Sequence, residues 1–346
     1  MESERILGQN HILRHFENAI RMGKISHAYI INGEEGSGKM NLAIHFAKAL
    51  QCERNNSNKA INEDGERITV PGTACGQCKS CKQTDSKNQP DIKYITYEKS
   101  GIGVDEIREQ INDDIDIKPY SSPYKIYIVP ESEKMTVQAQ NALLKTIEEP
   151  PEYAIIILLT TNADTFLQTI LSRCVMLNIR PVKEDIIKNQ LTSQYGVGDY
   201  EARVAATFSN GNPGKAIKLA TFEEFKELKQ YVVGMFMSLE KGGMDIIGEA
   251  IKKTGTFKKQ IDEYFSLMRI WFRDILVYKA TKEEDQIIFQ DEYMTIEKMS
   301  QTYSFDDIND ILKAIDLAES RIKSNVNFDS TIEILLLSIK EKTSGK

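Results

Sequence analysis

What this 346-residue sequence lacks narrows its class before any motif is read. No run approaches the roughly 18 uncharged apolar residues of a membrane-crossing helix, so no transmembrane span and no membrane partner are expected. The opening Met1-Glu2-Ser3-Glu4-Arg5 is polar and mixed in charge, unlike a signal peptide, which makes a cytoplasmic protein the expectation. Positive charge is not in excess: 44 Lys and Arg against 51 Asp and Glu give a net charge of -7. That balance argues against a chain that grips nucleic acid on its own, because such affinity comes from clustered cations, although a local basic patch is compatible with it. Internal repeats and low-complexity tails are missing as well. Cysteine is scarce, but three of the five crowd into Cys75-Gly76-Gln77-Cys78-Lys79-Ser80-Cys81. This is the wrong distribution for a disulfide framework in a reducing compartment and the right one for a metal.

What is present is the composition of a globular protein, 41% hydrophobic and 27% charged, in a chain long enough for two or three domains. Its organising stretch is Gly33-Glu34-Glu35-Gly36-Ser37-Gly38-Lys39-Met40. The P-loop pattern G-x-x-x-x-G-K-[ST] uses glycines to turn backbone N–H groups onto phosphate oxygens, a lysine to reach the β- and γ-phosphates, and a hydroxyl to hold Mg²⁺. Gly33, Gly36, Gly38 and Lys39 supply a phosphate cradle. Met40 replaces the hydroxyl with a thioether, a poor ligand for a hard ion that demands oxygen. Before the loop, Ala28-Tyr29-Ile30-Ile31 reads as a buried strand; after it, Leu42, Ala43, Phe46, Ala49 and Leu50 have helical spacing. Upstream, Ile12, Phe16, Ala19 and Ile20 mark another helix that stops near Gly23. The loop is therefore expected to be able to hold a phosphate but to be badly equipped to hydrolyse one, so tight ATP binding is doubtful and hydrolysis is not expected.

Residues 52 to 90 read as a polar insertion that opens with Asn55-Asn56-Ser57-Asn58-Lys59. Cys52, Cys75, Cys78 and Cys81 could close a tetrahedral zinc site of the structural kind, with Cys52 reaching it from the end of the preceding helix. The plain alternative is a loop with free thiols.

Strand and helix alternate again from residue 91. Ile92–Ile95, Lys125–Val129, Ala154–Leu159 and Val175–Leu177 are short runs rich in β-branched residues, with helical patterns at 104–114 and 135–148. That is the signature of an α/β fold with a parallel sheet covered on both faces. A nucleotide-hydrolysing P-loop protein places an Mg²⁺-binding Asp after the strand that here ends at Val129. This chain has Pro130, with no ligand atom in its side chain, then Glu131, either a vestigial base or an ordinary exposed glutamate.

Asn141-Ala142-Leu143-Leu144-Lys145-Thr146-Ile147-Glu148-Glu149-Pro150-Pro151, then Thr160-Thr161, then Ile170-Leu171-Ser172-Arg173-Cys174, resemble the AAA+ subunits of bacterial sliding-clamp loaders. His27-Ala28-Tyr29 and the cysteine cluster occur in the expected order, and the likeness is strong over about residues 5 to 220. It implies a P-loop AAA+ α/β domain over 1–179 with a zinc-binding insertion at 52–81, a small helical lid over 180–221, and an all-helical collar over 222–346. It implies that Arg173 of the Ser-Arg-Cys triplet enters a neighbour's ATP site in trans, where such a finger is worth about 10³ to 10⁵ in rate. On chemistry alone Arg173 could equally be a surface arginine in a weak ion pair. Thr161 resembles a sensor residue. Gly214, beside Lys215, stands near where hydrolysing relatives carry an arginine that contacts nucleotide, and the bare sequence Gly211-Asn212-Pro213-Gly214 reads as a turn before a helix.

Past residue 222 the pattern is almost wholly helical. Ile261, Phe265, Met268, Phe272, Ile275 and Leu276 form one stripe flanked by Tyr264 and Trp271, and Ile332, Leu335, Leu336 and Ile339 lie on a last helix. The leading reading is a non-catalytic member of the DNA polymerase III clamp loader. Its expected partners are gamma/tau and delta subunits in a hetero-oligomeric ring, with the sliding clamp and primed DNA reached through that ring. The alternatives are an ATP-hydrolysing motor of the gamma/tau kind, opposed by Met40, Pro130 and Gly214, and a zinc-dependent nucleic-acid-binding module, opposed by the lack of a basic face around the cysteines.

Overall fold

A computed structural model describes residues 6–56, 71–98, 101–221, 223–241 and 245–344. The N-terminal pentapeptide and residues 57–70 of the polar insertion lie outside the described residues. The chain forms two compact units, Met1–Ile187 with Asn210–Lys215, and Lys188–Ser209 with Ala216–Lys346, so the expected lid stretch 180–221 is divided between them.

The first unit is built on a five-stranded sheet of β1 (Ala28–Asn32), β2 (Ile92–Tyr94), β3 (Lys125–Val129), β4 (Ala154–Thr160) and β5 (Val175–Asn178), ordered β2-β3-β4-β1-β5. Every pairing is parallel, with Ile30 beside Leu158 and Met176, and Ile128 beside Ile157. The strands read as continuous apolar runs because both faces are covered. Successive side chains point to opposite faces, so β4 divides itself: Ile155, Ile157 and Leu159 join one core cluster, and Ala154, Ile156 and Leu158 the other.

Helices α1 (Asn10–Met22) and α2 (Lys39–Gln51) close the first face with Ile12, Phe16, Leu42, Phe46 and Leu50. Phe16 and Phe46 stack there at 4.0 Å between centroids, and Tyr29 meets Phe46 edge-on. Gly23, in the left-handed conformation, ends α1 where its periodicity stops. The other face is closed by Ile107, Ile111 and Ile115 and by the helix Val137–Glu148 through Ala139, Leu143 and Ile147. The segment 104–115 is helical as its pattern predicts, with a π-helical turn over Arg108–Asn112.

In a parallel sheet all the carboxyl ends point the same way. This arrangement gathers the loop after β1, the turn after β3 and the end of β4 along one edge, where α/β folds bind ligands.

The regular elements of the second unit are all helices among its described residues, joined by short loops. Its helix Ile261–Thr281 buries more than the expected stripe: Tyr264 and Trp271 are not flanking residues but fully buried, whereas Ile261 and Leu276 are only partly buried. Buried Asp274 explains part of the wider contact, since its carboxylate accepts the backbone N–H groups of Ile288 and Phe289, each at 2.8 Å. Ile332, Leu335, Leu336 and Ile339 are all buried on the last helix, Phe328–Ser344. Among the described residues no helix is long and apolar enough to cross a membrane.

Candidate functional site

The phosphate loop leaves β1 through Gly33, whose N–H donates to Thr160 O at 3.1 Å. Gly36 and Gly38 have φ of 77° and 93°, a left-handed backbone that favours glycine, and Gly38 caps α2. The Lys39 ammonium folds back onto its own loop, donating to Gly33 O at 2.5 Å and Glu34 O at 2.7 Å. Burial pushes its pKa below the ordinary lysine value, against the opposing pull of Glu133, Glu35 and Glu34. Met40 turns its thioether against the α1–α2 core and also lines a cleft of about 520 Å³ shared with Lys39, Pro130, Glu131, Glu133, Lys134 and Thr161. At the position of the Mg²⁺ hydroxyl there is thus an apolar side chain seated on apolar neighbours.

The carboxylates beyond β3 are engaged by the protein. Glu131 adopts a left-handed backbone (φ 46°), accepts a hydrogen bond from the Tyr97 hydroxyl and forms a 3.0 Å ion pair with Lys134. These two donors hold its pKa below the usual carboxylate range. Glu133, which sequence reasoning passed over, accepts from Thr161 Oγ1 at 2.8 Å and from the Thr161 N–H at 3.2 Å. Burial alone would raise the Glu133 pKa, but hydrogen bonds from backbone and threonine donors outweigh it and the net shift is downward. The signal that could have found Glu133 is an acid a few residues past a strand that ends at a P-loop edge. Thr161, expected as a sensor, is the partner of that acid.

Four sulfurs converge beneath the end of α2. Cys52, Cys75, Cys78 and Cys81 offer Sγ atoms that all lie within 4.8 Å of one another. Cys52 follows the last turn of α2, and Cys78 caps the helix Lys79–Asp85, so two helix termini fix the ends of the cluster. Backbone N–H groups point at sulfur throughout: Cys75 to Cys52 Sγ at 3.3 Å, Cys78 to Cys75 Sγ and Cys81 to Cys78 Sγ at 3.4 Å each. The N–H groups of Gln77 and Cys78 draw the Cys75 thiol down to about 6, whereas burial raises those of Cys52 and Cys81. Four convergent thiols with N–H donors to their sulfurs form a donor set that could hold a metal ion. Sequence spacing brought three of them together; the fold adds Cys52.

Arg173 stands between the short helix Gln168–Leu171 and β5. Its guanidinium pairs with Glu148 at 3.0 Å, donates to Thr169 O at 3.0 Å and to Ser172 Oγ at 3.3 Å, and keeps 40% of its side chain exposed. These partners all lie outside the phosphate loop. The neighbouring Cys174 thiol is pushed up to about 12 by burial. Gly214 reaches the loop through its backbone, its N–H donating to Gly36 O at 3.1 Å, while the Lys215 N–H donates to Asn212 Oδ1.

The family model described as DNA polymerase III, delta subunit, matches residues 8–183, and a second model, of the C-terminal part of the DNA polymerase III delta subunit, matches residues 248–341. The chain is 26% identical over 337 residues to the DNA polymerase III subunit delta' of Bacillus subtilis (strain 168), covering 96% of each. It is 34% identical over 221 residues to the tau subunit of the same organism, covering 62% of this chain but 36% of tau. Among solved structures, a DNA polymerase III gamma subunit-related protein from Thermotoga maritima is similar with a TM-score of 0.41 at 21% identity, over 96% of this chain and 99% of that one. With a family model spanning over half of its length and a delta' relative aligned nearly end to end, the chain belongs to the delta/delta' subunit family of the DNA polymerase III clamp loader.

Proposed function

We propose that this chain is a non-hydrolysing subunit of a hetero-oligomeric clamp-loader ring, which supplies Arg173 in trans to the ATP site of a gamma/tau-type neighbour. In this role it helps the ring place a sliding clamp on primed DNA in the cytoplasm. The observation that carries the reading is the cleft beside the phosphate loop. Its strand, loop and helix are those of a nucleotide site, yet Met40 and Pro130 offer Mg²⁺ no oxygen, and Glu131 and Glu133 are spent on Tyr97, Lys134 and Thr161. A hydrolytic site needs an oriented metal and a positioned water, and those carboxylates are the groups that would provide them.

Arg173 suits the trans role because it lies outside its own loop, half-exposed, and its ion pair is with the surface carboxylate Glu148, which a stronger anion can displace, beside two hydrogen bonds to Thr169 O and Ser172 Oγ. A guanidinium set against a γ-phosphate stabilises the charge that spreads over it in the transition state. The division into an AAA+ domain (1–179), a lid (180–221) and a collar (222–346) belongs to the same proposal. So does zinc at Cys52, Cys75, Cys78 and Cys81. That ion prefers four thiolates in tetrahedral array, and a closed set leaves no open position for catalysis. The test is ATP turnover by the purified chain alone and by the assembly that it completes with a tau-type ATPase. The expected result is no turnover alone and stimulated turnover in the assembly; motor-like turnover by the isolated chain would overturn the reading.

A further inference from the structure

The turn Asn210–Lys215 belongs to the same compact unit as the phosphate loop and lies directly against it. Three hydrogen bonds join them. The Gly214 N–H donates to Gly36 O at 3.1 Å, and the Asn212 amide donates to Glu35 O at 2.7 Å and to the Glu34 carboxylate at 3.2 Å. The other end of that amide is fixed, because Asn212 Oδ1 accepts the Lys215 N–H at 3.1 Å. Asn212 is 5% exposed, so these bonds are shielded from competing water.

The turn is pinned from behind as well. The Val182 N–H donates to Gly211 O at 2.8 Å, and buried Gln9 grips Arg180 through both its N–H and its carbonyl, at 3.0 and 2.7 Å. The approach in front is too close for any side chain. A Cβ on Gly214 would lie 2.5 Å from Gly36 O and 2.9 Å from Gly36 Cα, and both are backbone atoms that cannot swing aside. Gly214 does not have a left-handed φ, so what glycine provides there is the missing side chain rather than backbone freedom.

We infer that the Asn212–Gly214 turn is a built-in clasp that holds the phosphate loop closed without any ligand. A glycine-rich loop of this kind ordinarily gains its order from the anion it wraps, whose oxygens collect the loop's N–H groups. Here the order comes from the chain itself, through loop carbonyls. The absence of a side chain at 214 is therefore a condition of the contact, and an arginine at that position would have to displace the loop. A ligand shifts an equilibrium only by its differential affinity for the two states, and a loop already held leaves little ordering for phosphate or nucleotide to contribute. The clasp does not rest on the role proposed for Arg173, and either can fail without the other.

Hydrogen–deuterium exchange on the full chain tests it, read at the loop peptide 33–38, remote in sequence from the substitutions. In the unmodified protein this peptide should be protected, and millimolar Mg²⁺-ATP or pyrophosphate should not change its exchange. Asn212→Ala, which removes the side-chain bonds without adding bulk, and Gly214→Ala, which adds a Cβ against Gly36, should each speed exchange at 33–38 by about tenfold while β4 is unchanged. If Gly214→Ala does not fold, Asn212→Ala decides alone. Exchange at 33–38 that stays at the unmodified rate in Asn212→Ala, or that slows in the unmodified protein on adding nucleotide, would overturn the clasp.

Discussion

Arg173→Ala separates a surface ion pair from a catalytic arginine by the size of two effects. Within the chain, Arg173 makes one 3.0 Å pair with Glu148 and two hydrogen bonds to Thr169 and Ser172, and the paired side chains are 40% and 45% exposed. Such a pair is screened by water and contributes under about 1 kcal/mol, so the melting temperature should fall by no more than about 2 to 4 °C. Under the proposed trans role, the same substitution in the assembled ring removes a guanidinium from a dry site with developing negative charge. There the loss should be about 10³ to 10⁵ in ATP turnover, equivalent to about 4 to 7 kcal/mol of transition-state stabilisation. The assay is steady-state ATP hydrolysis by the chain assembled with a tau-type ATPase, with assembly checked by gel filtration. Glu148→Ala is the companion variant: it frees the arginine and should leave turnover intact. An Arg173→Ala assembly that forms normally and hydrolyses ATP within about twofold of the unmodified rate would refute the trans role, since an exposed pair alone predicts that outcome.

Further outcomes follow from the same geometry. Elemental analysis should find one zinc per chain, and Cys78→Ser should lose most of it and melt at a lower temperature, because the metal's binding free energy is available only to the folded cluster; full zinc retention would remove the four-cysteine site. Met40→Thr restores one hydroxyl but leaves Pro130 and Gly214 in place, so the single variant should show no ATPase above background, and robust hydrolysis would mean that the cleft beyond β3 is misread. Asp114 lies among Lys93 (2.7 Å), Lys125 (2.8 Å) and the Tyr127 hydroxyl (2.8 Å); burial opposes its charge, but these three donors outweigh it and keep its pKa low. Its folded value lies below the unfolded value, so its stabilisation is present above about pH 4 and fades as pH falls through the folded value. Asp114→Asn should therefore cost about 2 kcal/mol near neutrality and progressively less in acid, read as melting temperature against pH. A loss independent of pH would show that the carboxylate charge is not its source.

The elements of the first unit were legible because each carries its own local signal. β-Branched runs covered on both faces mark the strands, the helical spacing of Ile12, Phe16, Ala19 and Ile20 ends at a left-handed glycine, and the phosphate loop falls between strand and helix. The helix Ile261–Thr281 was only half legible. Its stripe was seen, but Tyr264 and Trp271 were placed at the margin, because how much of a helix is buried depends on the neighbours that the second unit assembles around it. Glu133 escaped for a similar reason: its partner Thr161 is 28 residues away, and the parallel pairing of β3 with β4 is what makes them adjacent.

The sequence by itself determined which residue types stand at the catalytic positions of the phosphate-loop cleft. Met40, Pro130 and Gly214 carry no oxygen ligand for Mg²⁺ and no cation for phosphate in their side chains, whatever the fold around them. Tertiary structure alone decided what stands in their place. It bound Glu131 and Glu133 to protein donors and laid the backbone of Gly214 on that of Gly36. Those contacts join residues far apart in sequence, and their distances are set by sheet register and by the close packing of backbone on backbone, neither of which any local pattern of residues encodes.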